Sequence, residues 1–177
     1  HLWRLNDACT DPRVTKVLHG ADSDVLWLQR DFGVYLVGLF DTGQAARVLG
    51  LPSYGLSYML KHFCGVQTDK KYQLADWRLR PLTHDMRRYA LTDTHYLLYV
   101  YDRLKRLLTE AETERRARPR GGPGSEGGPG DGETLLQHVW RRSAQVARQC
   151  YRVVPFQADA HRLLLAKQAG APLTEAG

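Results

Sequence analysis

Only two segments of this 177-residue chain carry a strand pattern, and that shortage constrains its fold more than any other feature. Residues 14–18 are rich in β-branched side chains and stop at His19-Gly20, and residues 34–40 form the second such run. A helical pattern follows each. Asp22 or Ser23 can cap a helix reaching about Asp31, with Val25, Leu28 and Phe32 on one stripe and Gly33 beyond it. Asp41 or Thr42 caps the next helix, which ends at Gly50-Leu51-Pro52, and residues 53–64 supply another, closed by Gly65. Strands alternating with helices predict an α/β layered fold. Two strands are too few to complete such a sheet, so the fold is expected to be incomplete and its helices short of surface to bury against.

A Gly/Pro-rich tract over 121–132, led by the basic residues 115–120, divides the chain. It has no apolar periodicity and reads as a flexible connection over 113–133, between a portion over 1–112 and a helical extension over 134–177. In that extension Leu136, Val139, Trp140, Ser143, Val146 and Cys150 recur at helical spacing, and Pro155 separates a shorter helix over about 158–169. With 43% hydrophobic and 25% charged residues the chain is globular in class. Its longest apolar runs, such as 96–101, fall far short of the ~20 residues of a membrane span. Residues 1–7 lack the apolar run of a signal peptide, and the chain opens on His1 instead of Met, which suggests a piece of a longer polypeptide. Three scattered cysteines (Cys9, Cys64, Cys150) suit a reducing compartment better than a disulfide framework. The net charge of +6 permits a polyanionic partner without requiring one.

The longest helix pattern, over 84–108, opens after Pro81 with Thr83 as cap and Asp85 at its positive end. Its stripe reads Met86, Ala90, Asp93, Leu97, Val100, Leu104 and Leu107, so Asp93 stands where an apolar residue is expected. A carboxylate facing a core is costly unless it is paired or bound to metal. Tyr89 lies one turn earlier on the same face. Read blandly, Asp93 is satisfied by Tyr89, Arg87 or Arg88. A second cluster, His19-Gly20-Ala21-Asp22-Ser23-Asp24, places acidic groups just past a strand end, where they can hold a hard cation or cap a helix. Spacing does not choose between Asp22 and Asp24, and His19 reads more readily as a packed residue than as a ligand. In a third cluster, Lys71, Tyr72, Trp77 and Arg78 interleave charge and aromatic rings, which suits phosphates and stacked bases. Trp77 can equally be a packing residue.

In their order along the chain, these clusters resemble the ribonuclease D-like 3′→5′ exonucleases, the DEDD superfamily with tyrosine in its third motif. The resemblance is carried by residues 19–29, by Phe40-Asp41-Thr42 with Gln44-Ala45-Ala46-Arg47, by residues 72–78, and by Tyr89 with Asp93-Thr94-His95-Tyr96-Leu97-Leu98. It covers residues 2–108 strongly and 134–157 weakly, and is nearest the exosome-associated nuclear branch of the family. The resemblance implies an RNase H-like α/β fold and two Mg²⁺ ions, with Mn²⁺ as a substitute. It implies single-stranded RNA 3′ ends as substrate, the nuclear exosome core and its cofactors as partners, and residence in the nucleus and nucleolus. By the same resemblance Asp24 and Asp93 are metal ligands, Tyr89 orients the attacking water, Asp22 is left as the helix cap, and Lys71, Trp77 and Arg78 contact RNA.

One departure stands out. The family's first motif, Asp-x-Glu on the opening strand, is missing, because Asp7, Asp11 and Asp22 are the acidic residues ahead of Asp24 and none forms it. The expectation is that the parent protein is an exonuclease while this chain alone is inactive and poorly folded, and the helicase-and-ribonuclease-D C-terminal domain is not present. A non-catalytic RNA-binding scaffold is the first alternative, and a DNA exonuclease of the same superfamily is the second. Retention of both Tyr89 and Asp93 argues against the scaffold, and only the resemblance over residues 72–78 favours RNA over DNA.

Overall fold

β1 (Lys16–Leu18) and β2 (Leu39–Asp41) pair in parallel, Lys16 opposite Leu39 and Leu18 opposite Asp41. The computed structural model describes residues 2–117, 128–130 and 132–153, and among these the pair is the whole of the sheet. The helix expected over 158–169 and most of the Gly/Pro tract lie outside the described residues.

The second strand is much shorter than the expected 34–40. Its side chains do alternate, Val34 and Leu36 buried and Tyr35 and Val37 exposed. The backbone N–H groups, however, are engaged elsewhere: Val34 donates to Leu28 O (3.0 Å), Tyr35 to Asn6 Oδ1 (2.9 Å) and Val37 to Cys9 O (2.9 Å). A strand face without ladder donors is not a strand. Two of those acceptors belong to α1 (Asn6–Cys9), which follows a 3₁₀ turn at Leu2–Leu5, and neither element shows in the sequence pattern.

The crossover between the strands is α2 (Asp22–Phe32), ended by Gly33 in the left-handed conformation. Neither Asp22 nor Ser23 caps it. Its N-cap is Ala21, which has no side-chain acceptor of its own, and Asp41 supplies one from the end of β2. Asp41 Oδ2 accepts from Ala21 N (2.8 Å), while Oδ1 accepts from Gly20 N (3.0 Å), Gly43 N (2.7 Å) and Gln44 N (3.2 Å). One buried carboxylate thus satisfies the positive ends of two helices, α2 and α3 (Thr42–Val48). Gly43 permits this, since a Cβ there would meet Asp41 Oδ1 at 3.1 Å. Gly20 makes the turn between β1 and α2 with φ of 60°.

α4 (Leu56–Cys64) is shorter than expected, with residues 53–55 outside it, and Gly65 closes it at φ of 67°. The single helix expected over 84–108 is two: α5 (His84–His95) and α6 (Leu97–Ala117), meeting at Tyr96. Thr92 Oγ1 donates to Arg88 O (2.8 Å) and Thr94 Oγ1 to Ala90 O (3.4 Å) in the last turn of α5, competition of the kind that bends helices. The break changes the register. Met86, Val100 and Leu104 are buried as expected, but Ala90 is exposed, Leu108 replaces Leu107 in the core, and Asp93 is only half-buried.

Two apolar clusters hold these elements together. Phe40, Ala45, Ala46, Met59, Leu60, Val100, Leu104, Leu108 and Val139 form the larger, with Tyr101 and Trp140 edge-on to Phe40 at 4.7 and 5.2 Å. Full burial of a residue such as Phe40 is worth roughly 1.5–3 kcal/mol. Ala21, Val25, Leu36, Leu39 and Val146 form the smaller. α7 (Leu135–Ala147), capped by Thr134 and Gln137 in a reciprocal box, gives Val139 to one cluster and Val146 to the other. The helix beyond the Gly/Pro tract therefore packs back onto β2, α3 and α6.

Candidate active site

Tyr89 and Asp93 sit one turn apart on α5, both half-buried, close enough that each moves the other's proton affinity. Burial pushes the Asp93 carboxyl above its ordinary range, and the neighbouring Tyr89 side chain partly offsets this. Burial also raises the Tyr89 phenol, with the Asp93 charge adding to the effect, so the hydroxyl stays protonated at neutral pH and can donate and accept. Neither Arg87 nor Arg88 pairs with Asp93 among the described residues, so the bland pairing with an arginine is not what satisfies it.

The segment before α5 builds a wall around Tyr89. A 3₁₀ turn at Lys70–Leu74 is stapled to α5 through Tyr72, whose hydroxyl donates to Asp85 Oδ2 (3.1 Å). The Tyr72 ring lies 5.7 Å from the Tyr89 ring, and Trp77 approaches Tyr89 at 6.1 Å. Trp77 Nε1 donates to Tyr72 O (3.0 Å), which closes the intervening loop. The sequence placed Tyr72 in its basic and aromatic cluster and Asp85 at the positive end of the helix, without linking the two. The signal was present in their types, an aromatic before a helix and an acid in its first turn, but their pairing is tertiary. Of the residues expected to touch RNA, Lys71 is ion-paired to Asp69 at 2.8 Å and lies over the Tyr72 ring, and Arg78 is ion-paired to Asp76 at 2.8 Å. A cleft of about 290 Å³ runs beside this wall, lined by Lys71, Tyr72, Asp85, Arg88, Tyr89 and Thr92 among others.

Asp24 lies in the first turn of α2, beyond β1. Burial raises its carboxyl above the ordinary range, and the Asp41 carboxylate adds to the rise. Asp22, the alternative, is exposed and its Oδ1 accepts from Gln149 Nε2 (3.1 Å). His19 Nδ1 lies 2.9 Å from Thr42 Oγ1, whose own proton goes to Leu18 O (3.1 Å), so this network assigns Nδ1–H as the donor. Burial lowers the His19 pKa, which keeps the ring neutral and packed beneath the turn.

Asp24 and Asp93 are hard oxygen donors, chemically suited to Mg²⁺ or Mn²⁺. Their mutual influence is not what shifts either one, and among the described residues no group of three or more His, Cys, Asp or Glu side chains converges on a metal position. Among the described residues, Asp24 and Asp93 are therefore donors without a third of these groups beside them.

Residues 2–109 match the 3′-5′ exonuclease family. This chain belongs to that family, in its ribonuclease D-like branch. It is 44% identical over 167 residues to exosome complex component 10 of Rattus norvegicus, covering 94% of this chain and 17% of that protein. It is 53% identical over 111 residues to the exosome complex exonuclease RRP6 of Saccharomyces cerevisiae, covering 63% of this chain and 15% of that one. Among solved structures it is similar to the catalytic core of RRP6 from Trypanosoma brucei, with a TM-score of 0.73 and 37% identity over 94% of this chain and 40% of that one. Escherichia coli RNase D, described as an exoribonuclease involved in structured RNA processing, superposes with a TM-score of 0.62 at 29% identity, over 89% of this chain and 36% of its own. The two-stranded pair and its helices are thus part of an RNase H-like 3′-5′ exonuclease fold, as expected.

Proposed function

We propose that this ribonuclease D-like chain serves 3′→5′ hydrolysis of single-stranded RNA, as part of an exoribonuclease of the nuclear exosome that works in the nucleoplasm and nucleolus. The observation that carries this is the juxtaposition of Tyr89 and Asp93 on α5, a protonated phenol beside a half-buried carboxyl, inside an aromatic wall. A carboxylate there is suited to a cation and a phenol there to a water molecule. Asp24 and Asp93 are the metal-ligating candidates, for two Mg²⁺ ions that Mn²⁺ can replace, and Lys71, Trp77 and Arg78 the RNA-contacting ones. Bound divalent ions would supply a hydroxide nucleophile and stabilise the departing 3′ oxygen. The chain's own contribution is to hold the carboxylates, position water through Tyr89 and shield the site with Tyr72 and Trp77. With two candidate ligands and no Asp-x-Glu ahead of Asp24, residues 1–177 by themselves are inactive in this reading.

The test is 3′ trimming of single-stranded RNA, beside a matched DNA, by the intact protein with Mg²⁺. Asp93→Asn is expected to lower the rate by about 10³-fold or more, and Tyr89→Phe by about 10²-fold. Full activity in Asp93→Asn would remove the basis of the proposal. Equal trimming of DNA would move it to the DNA exonucleases. RNA binding without trimming by the wild type would make the chain a binding scaffold.

A further inference from the structure

We propose that the outer face of α5 is a track for the phosphate backbone of single-stranded RNA leading to the Tyr89–Asp93 site. This rests on the ribonuclease reading of that site. His84, Arg88, Leu91 and His95 follow one another at spacings of four, three and four along α5, which puts them on one face. Arg87 joins them at the border of a broad depression of about 590 Å³, with Tyr96 at its far end. From His84 to His95 the face extends about 16 Å along the helix axis.

Three observations point to a polyanionic strand. First, the guanidiniums of Arg87 and Arg88 have no carboxylate partner among the described residues, and no carboxylate lines the depression. By contrast Arg13, Arg30, Arg115 and Arg141 are each tied to a carboxylate at 2.6–2.9 Å. A cation held by its own neighbour has less to offer a phosphate, whereas the two on α5 are uncommitted. Second, the face is not purely charged. Leu91 is 66% exposed between Arg88 and His95, and His95 stands edge-on to Tyr96 at 4.8 Å. Apolar and aromatic surface between cations suits bases lying beside a backbone. Third, Arg88 and Thr92 border both this depression and the cleft that contains Tyr72 and Tyr89. A strand whose terminal phosphodiester reaches Tyr89 therefore has a continuous path over Arg88. An acidic peptide would satisfy the arginines but gives no reason for the path to end at Tyr89.

The test measures binding of the intact protein to a short uridine oligonucleotide by fluorescence anisotropy, in EDTA to prevent cleavage, over a series of salt concentrations. Arg87→Gln with Arg88→Gln is expected to weaken binding about tenfold, alike for different base sequences, and to reduce the salt slope by about 1.4. Arg87→Lys with Arg88→Lys should restore the slope, and Arg13→Gln, whose parent side chain is already paired, should leave both quantities unchanged. Wild-type affinity and slope in the double Gln variant would overturn the track while trimming that depends on Asp93 still upheld the ribonuclease reading. Binding of a polyglutamate peptide but not of RNA to the same face would overturn it as well. Circular dichroism of each variant separates loss of the track from loss of the fold.

Discussion

The backbone N–H of Asp41 donates to Ser143 Oγ at 3.0 Å, linking the end of β2 to the middle of α7 across 102 residues of chain. Both residues are fully buried. Ser143→Ala would leave that N–H without an acceptor in a place water does not reach. The expected loss is about 1–3 kcal/mol, read as a lower urea midpoint with unchanged m-value. A neutral result would mean that α7 does not rest on β2 as described.

Asp41 itself should prove structural and yet be felt at Asp24. Asp41→Asn replaces an acceptor pair that serves four backbone N–H groups with an amide that can accept on one side only. Stability should fall by about 2 kcal/mol or more. With the Asp41 charge gone, the Asp24 carboxyl should titrate at lower pH, since that charge adds to its rise. Side-chain NMR titration of Asp24 in the folded variant checks the second point; an unmoved or raised value contradicts the coupling.

Asp93→Asn should raise the thermal midpoint of the metal-free protein even as it abolishes trimming. The folded-state pKa of Asp93 lies above its ordinary value because burial opposes the charged form. At neutral pH the ionised side chain therefore works against folding, and a neutral isostere relieves it. By the same sign, Mn²⁺ affinity should start to fall at a higher pH than for an unperturbed aspartate, because protons compete more strongly for a raised carboxyl. Calorimetry of unfolding and of Mn²⁺ binding tests the pair, and a lowered midpoint in Asp93→Asn would contradict the burial argument.

Trp77 offers a clean separation between packing and RNA stacking. If its function is to hold Tyr89 through the ring contact and the Tyr72 carbonyl, Trp77→Phe should lower kcat roughly 10- to 100-fold with little change in KM. A base-stacking role would instead raise KM and leave kcat near its starting value.

Acid should loosen the junction of α6 and α7. Hydrogen bonds from Arg115, and next from Arg116 and the Leu135 N–H, hold Glu112 at about 2, and those from Arg141, Gly130 and His138 hold Glu133 at about 2. Both lie below the ordinary value of 4.5. Their contribution is therefore complete above about pH 4.5 and is lost as pH falls through 2. The share of the urea midpoint that these two carboxylates carry should be constant down to about pH 4.5 and decline below it. Glu112→Gln should flatten the decline; an unchanged profile would show that this carboxylate does not tie the helices.

Local chemistry was legible wherever a signal is carried by neighbouring residues. Thr83 caps α5, Gly33 and Gly65 end α2 and α4, and the spacing of Val139, Ser143 and Val146 gives the buried face of α7. Tyr89 and Asp93 could be paired from their separation alone, because four residues of helix fix their distance. Residues 34–38 were misleading for a physical reason: alternation reports which side chains are buried, while strand identity depends on where the N–H groups go.

The amino-acid sequence by itself determined α2, α3, α4 and α7 in outline, the Tyr89–Asp93 pair and the lack of an Asp-x-Glu ahead of Asp24, since each of these is a matter of residue type and short spacing. Tertiary structure alone decided that Asp41 caps two helices, that Tyr72 and Trp77 enclose Tyr89, and that α5 and α6 part at Tyr96. Those facts depend on which distant backbone donors and rings a side chain meets, and short-range pattern holds no record of such meetings.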